Sequence, residues 1–195
     1  MIRTPRNGKR LMPGLLVGLV LAAVMIWQSS NAVLSADTRS GPNAFGAGSI
    51  SLGDDDSGSV LFNRSNMLPG DSVTNCIKVT YSGTSLQVTP VKVFGEIDTD
   101  VGGFSDHLDV QIEEGNGGSF GNCTGFAATS TLYNGRLSTL SATNHDFATG
   151  LNGFTPAAGS LTRTYRLTVT LRSDTTNSSM GDTATAIFTW EIHSS

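Results

Sequence analysis

The sequence predicts an all-β fold: an antiparallel, jelly-roll-like β-sandwich of about eight or nine strands, preceded by an N-terminal signal helix. Three observations point there. Apolar and polar residues alternate with period two in several segments, most clearly in "LTRTYRLTVTLRSD" from Leu161, where Tyr165, Leu167, Val169 and Leu171 oppose Thr164, Arg166, Thr168 and Thr170. Ser and Thr make up roughly a quarter of the chain, charge is sparse at 14%, and the 38% hydrophobic content falls in patterned bursts. After the leader, no stretch sustains helical periodicity.

The leader comes first in the chain. Arg3, Arg6, Lys9 and Arg10 form a cationic segment without an acid, and "LMPGLLVGLVLAAVMIW" follows as an uncharged apolar run. Ser30 and Ala32 in "QSSNA" stand at the small-residue positions that a signal peptidase reads, so cleavage is expected after Ala32. An uncleaved anchor is the alternative, weakened by Pro13, Gly14 and Gly18. The expected organisation is a signal peptide over 1–32 and a single secreted domain over 33–195. Removing the four basic leader residues leaves eight Lys and Arg against sixteen Asp and Glu, a net charge of about −8. That balance argues against nucleic acid as a partner, because phosphate binding needs a basic surface.

The strands then follow in order. "AGSISL" ends at Leu52, and "SVLF" covers Ser59 to Phe62. Leu68-Pro69-Gly70-Asp71 has the central pair of a type II turn. The next strand puts Val73, Ile77, Val79 and Tyr81 on one face and Thr74, Cys76, Lys78 and Thr80 on the other. "SLQVTPVKVFGEI" alternates with a phase shift at Pro90, which suggests an edge strand or a bulge. "HLDVQIEE" sets Leu108, Val110 and Ile112 against Asp109, Gln111 and Glu113. Asn134-Gly135 in "TLYNGRL" is a hairpin signal, and "STLSATNHDFATG" has room for at most a turn of helix. The strand from Leu161 and the closing "TATAIFTWEI" are expected either as a long hairpin or as neighbours in facing sheets.

Cys76 lies on the polar face of its strand, and Cys123 sits in the glycine-rich "GNGGSFGNCTGF". In an exported chain, two cysteines are expected to form one disulfide, here stapling a loop over the outer face of a strand. A metal-thiolate pair or a redox site is the rival reading; no C-x-x-C and no histidine beside either cysteine supports it. His107, His145 and His193 occur in unrelated contexts, with no H-E-x-x-H and no G-x-S-x-G elbow. Asp54, Asp55 and Asp56, and separately Asp98, Asp100 and Asp106, raise the question of calcium. Solvated turns with Asx caps are the favoured account, since neither run supplies an EF-hand's closing Glu. No cofactor is expected.

Taken together, "VLSADTRSGPNAFGAGSISL" with Phe45, Ala47, Gly48 and Leu52, then "SNMLPGDSVTNCIKVTYSGT", then "ATAIFTWEI", resemble the TasA/camelysin family of exported bacterial fibre and biofilm-matrix proteins. The cysteine pair is similar to a disulfide-bearing branch in high-GC Gram-positive bacteria. The resemblance implies a jelly roll exported through a dedicated signal peptidase, in contact with the membrane only during export. It implies a secreted, extracellular or cell-surface protein that partners copies of itself, and other matrix proteins, in fibres. Subunits of that kind polymerise by passing an N-terminal strand onward, which makes the segment holding Val33, Phe45 and Ile50 the expected donor. Pairing of this segment within its own subunit is the alternative. Val33 and Leu34 stand where the family has an aromatic residue after the cleavage site. Some relatives carry a metallopeptidase label; here it would rest on His107, His145 or the Asp clusters, and no zinc motif supports it. The expectation is therefore a non-enzymatic structural subunit, with a metallopeptidase or a monomeric adhesion domain as alternatives.

Overall fold

The computed structural model describes residues 49–84 and 87–194. The signal helix, the cleavage point at Ala32, and Val33 and Phe45 lie outside these residues. The elements are β1 (Ile50–Asp54), β2 (Ser72–Gly83), β3 (Lys92–Val101), β4 (Leu108–Asn116), β5 (Ala127–Arg136), α1 (Leu137–Thr143), β6 (Leu151–Asn152), β7 (Gly159–Leu171) and β8 (Thr183–Glu191).

They form two antiparallel sheets, one ordered β1-β2-β7-β4-β5 and the other β6-β3-β8. The expected all-β sandwich is what the chain forms. The order β2-β7-β4-β5 facing β6-β3-β8 is that of a jelly roll, with one difference. A jelly roll places its first strand beside its last; here β1 lies beside β2 instead, with Ile50 opposite Gly83 and Asp54 opposite Val79.

Period-two alternation builds the core between the sheets. Ile77, Val79 and Tyr81 from β2, Val110 and Ile112 from β4, and Tyr165 and Leu167 from β7 are buried in one cluster with Val93 from β3. Ala184, Ala186, Phe188 and Trp190 of β8 pack against it, and the Tyr165 and Trp190 rings meet at 5.5 Å between centroids. The outer face between β2 and β7 is hydroxyl-lined, with Thr74 Oγ1 and Thr168 Oγ1 2.9 Å apart and Thr80 and Thr162 paired likewise. Residues 48–195 cluster as one compact unit.

Several expectations are corrected. "SVLF" is not a strand: Val60 is exposed, while Leu61 and Phe62 pack irregularly against the core and the Leu61 carbonyl accepts from Asn75 Nδ2. Asn134-Gly135 makes no hairpin but runs inside β5, opposite Gln111 and Val110. A type I′ turn needs positive φ at both residues, and neither has it. Gly135 is required there for space: a Cβ would sit 2.9 Å from the Tyr133 hydroxyl. Pro90 precedes β3 rather than bulging within it. Helix α1 is longer than one turn, because Leu137 and Leu140 dock into the core. The last two long strands belong to facing sheets, which selects between the two arrangements open to the sequence. The Pro69-Gly70 turn forms as expected, with Gly70 at φ 94 and Asp71 N donating to the Leu68 carbonyl at 2.8 Å.

Glu114 continues the inward phase of β4 after Ile112 and so brings a carboxylate into the interior. Its Oε2 accepts from the Tyr165 hydroxyl at 2.9 Å and from Phe154 N at 2.7 Å. Burial, and then the Glu114 charge, push the Tyr165 phenol far above its ordinary range, so it stays a donor. Removing that donor leaves a buried carboxylate short of a partner. We expect Tyr165→Phe to cost about 1–3 kcal/mol in urea unfolding, far more than deletion of an exposed hydroxyl; a change within error would show that the node contributes nothing.

Candidate functional site

Sheet edges are the natural functional surfaces of a sandwich, because an edge strand carries main-chain donors and acceptors that still need partners. Several stretches of edge here are visibly closed. On the β3 side, β6 pairs only with Lys92 and Val93. Beyond it α1 takes over: Gly95 N donates to the Asn144 carbonyl at 3.0 Å and Ile97 N to Ser141 Oγ at 3.1 Å. β5 is broken by two register shifts against β4, between Ile112 and Glu113 and between Glu114 and Gly115. Bulged edges of this kind are poor templates for a further strand.

Where β2 runs past the end of β1, its edge is closed by Asp55 and by a strap, the loop between β4 and β5. It folds back across the outer face of β7 to reach β2, where Cys123 is bonded to Cys76 with the Cα atoms 5.2 Å apart. Cys76 is on the outer face, as the alternation requires, yet it is fully buried because the strap covers it. Arg166, opposite Cys76 on β7, lies beneath the same loop. Its guanidinium stacks on Phe126 at 4.7 Å and pairs with Glu113 Oε2, with Nη2 at 2.7 Å and Nε at 2.8 Å. Gly121 N donates to the Cys76 carbonyl at 3.0 Å.

Asp55 fixes the other end of the strap. One carboxylate oxygen accepts from Lys78 N at 2.7 Å, just past the end of β1, and the other from Phe120 N at 2.8 Å. Its neighbours make local turns: Asp56 N donates to Asp54 Oδ1 at 3.2 Å, and Gly58 N to Asp56 Oδ1 at 2.6 Å. The second acidic run is likewise divided. Asp98 accepts from Thr185, Asp100 from Ser105 and Asp106 from Ser138.

The histidines are apart. His145 lies 3.8 Å from Asp146, and the His107 carbonyl accepts from Arg172 N. His193 stacks on Phe147 at 3.7 Å and bonds to Glu191 at 2.6 Å. Among the described residues, no three His, Cys, Asp or Glu side chains come together as a metal cage. Among the same residues, no helix is long and apolar enough to cross a membrane.

What remains is the outer side of the five-residue β1, which pairs only with β2, and the longer edge of β8. Among the described residues β8 pairs with β3 and with nothing on its other side. The sequence "TATAIFTWE" carries no lysine, no proline and no bulge of its own; the one irregularity is at Asp98 on β3. Between this edge and β1–β2 runs a cleft of about 220 Å³, lined by Leu52, Gly53, Asp54, Asp56 and Val79 on one side and by Phe188, Thr189 and Trp190 on the other. It occupies the side of the sandwich where a jelly roll's first strand would lie. Burial raises the Asp54 carboxyl above its ordinary value, and the adjacent Asp56 and Asp55 charges push the same way. The Trp190 indole Nε1 is shielded from solvent and, among the described residues, has no hydrogen-bond acceptor.

Of the residues singled out in the sequence, Cys76 and Cys123 are therefore joined, whereas the histidines and the second acidic run stay dispersed. Ile50 begins β1 and is held by β2 in its own subunit. Asp55, Arg166, Glu113 and Trp190 carried no motif; period two put Arg166 and Glu113 on the outer face, but what covers them is decided by the strap. No family model matches this chain, and no curated protein matches it.

The bond closes 47 residues of separation, worth about 4 kcal/mol on the chain-entropy model. Replacing both cysteines by serine is expected to lower unfolding free energy by that order and to free the strap. Retention of wild-type stability would contradict the stapling account.

Proposed function

We propose that the protein is a non-enzymatic structural subunit, secreted and assembled with copies of itself into extracellular fibres or a surface matrix. The observation that carries this is the regular nine-residue β8 edge, unpaired among the described residues, on a sandwich where α1 covers β3, bulges break β5, and Asp55 and a disulfide-held strap close β2 beyond the short β1. An exposed edge of that kind templates strand addition, and natural proteins blunt such edges unless they use them. The occupant is the segment before β1, residues 33–48, passed from one subunit to the next. Ile50, tied to Gly83, marks where the donated segment ends. Head-to-tail donation does not close on itself, so it gives filaments rather than a dimer.

The leader, the oxidised cysteine pair and the acidic balance support a place outside the cell. The resemblance of the Phe45–Leu52 region, the Pro-Gly-Asp turn and the closing strand to the TasA/camelysin family supports the same role. The proposal is tested by electron microscopy of chains beginning at Val33 and at Ser49. Fibres are expected from the first and not from the second. Fibres from both would discard strand donation, and none from either under any condition would remove the structural role.

A further inference from the structure

The cleft beside β8 holds a donor without an acceptor, and that donor gives the proposed assembly a recognition element. Trp190 packs its ring against Tyr165 at the edge of the core, yet its Nε1–H finds no acceptor among the described residues and is cut off from water. A buried donor left unmade costs about 1–3 kcal/mol, so a partner supplied from outside would be favoured. Two further features of the edge say what that partner carries. The interior-facing side chains at the start of β8, Ala184 and Ala186, are small and only partly buried, which leaves room above them. At the other end, Asp54 and Asp56 put two acids on the cleft beside Trp190.

Residues 33–48, "VLSADTRSGPNAFGAG", match this pattern. Arg39 is their one basic residue and Phe45 their one aromatic. The six positions between Arg39 and Phe45 equal the six between Trp190 and Ala184, about 20 Å of extended chain in each case. Antiparallel to β8, the segment would set Arg39 by Trp190 and the acids while Phe45 covers the alanines.

Building on the strand-donation reading, we infer that Trp190 is the specificity residue of the acceptor cleft. Its Nε1–H bonds a main-chain carbonyl near Arg39 of residues 33–48 from a second copy, with Arg39 held by Asp54 and Asp56.

The test uses the chain from Ser49 onward, which contains the core-bearing unit and has Trp190 as its single tryptophan, Trp27 being in the leader. A synthetic peptide of residues 33–48 is titrated in while the indole N–H resonance is followed. Saturable binding with a downfield shift of that resonance is expected. Trp190→Phe should weaken the peptide about five- to tenfold, and the peptide variant Arg39→Gln should bind more weakly with less dependence on salt. Binding with an unmoved indole resonance and equal affinity for Trp190→Phe would overturn the role of Trp190 and leave strand donation standing. No binding to either protein would overturn both. If Trp190→Phe fails to fold, the resonance in the unsubstituted chain decides alone.

Discussion

Every strand at the margin of a sheet leaves one row of N–H and C=O groups to be satisfied, and this requirement organises the molecule. Helix α1, the paired bulges of β5, the Asp55 carboxylate and the β4–β5 strap are different answers to the same problem. Each is placed where an edge would otherwise be bare: Gly95 and Ile97 under α1, Lys78 and Cys76 under Asp55 and the strap. Among the described residues the five-residue β1 pairs only with β2, and the longer β8 has no such answer either. Leaving it open is a hazard for a monomer and an asset for a subunit that grows by adding strands.

The strap shows how an acidic, hydroxyl-rich chain stabilises a loop without a large apolar footprint. Its attachment combines a covalent bond, a charge-assisted pair and an aromatic stack, all meeting around Arg166. Glu113 is nearly buried, so its pairing with Arg166 matters more than an exposed ion pair would. One residue further along β4, Glu114 faces the other way and ties β7 to the segment at Phe154 from inside the sandwich. Adjacent acids thus serve opposite faces of one sheet, a direct result of the strand's period of two.

The long strands were legible because alternation is a local property: β2, β4, β7 and β8 lie where the pattern put them. Cys76 was legible on the same ground, as an outer-face residue in need of a partner. What escaped was tertiary. Asn134-Gly135 carries the composition of a turn, yet Tyr133 packs over Gly135 and the strand continues. Helix α1 has only Leu137 and Leu140 to announce it, and it exists because it caps β3. Residues 59–62 carry a short apolar run like a strand's, but Leu61 and Phe62 pack irregularly against the core instead. Whether a strand is at an edge, and whether that edge is covered, depends on the whole topology. Neither the openness of β8 nor the unpaired indole of Trp190 could therefore be read from the residues around them.

The central claim is that β8, unpaired on its outer side among the described residues, becomes protected on assembly. Amide hydrogen exchange on the chain from Ser49, and on fibres of the chain from Val33, tests it directly. Exchange along β8 should be fast in the first, faster than in β2 and β7, and should slow markedly in the second. Equal protection of β8 in both forms would contradict the account.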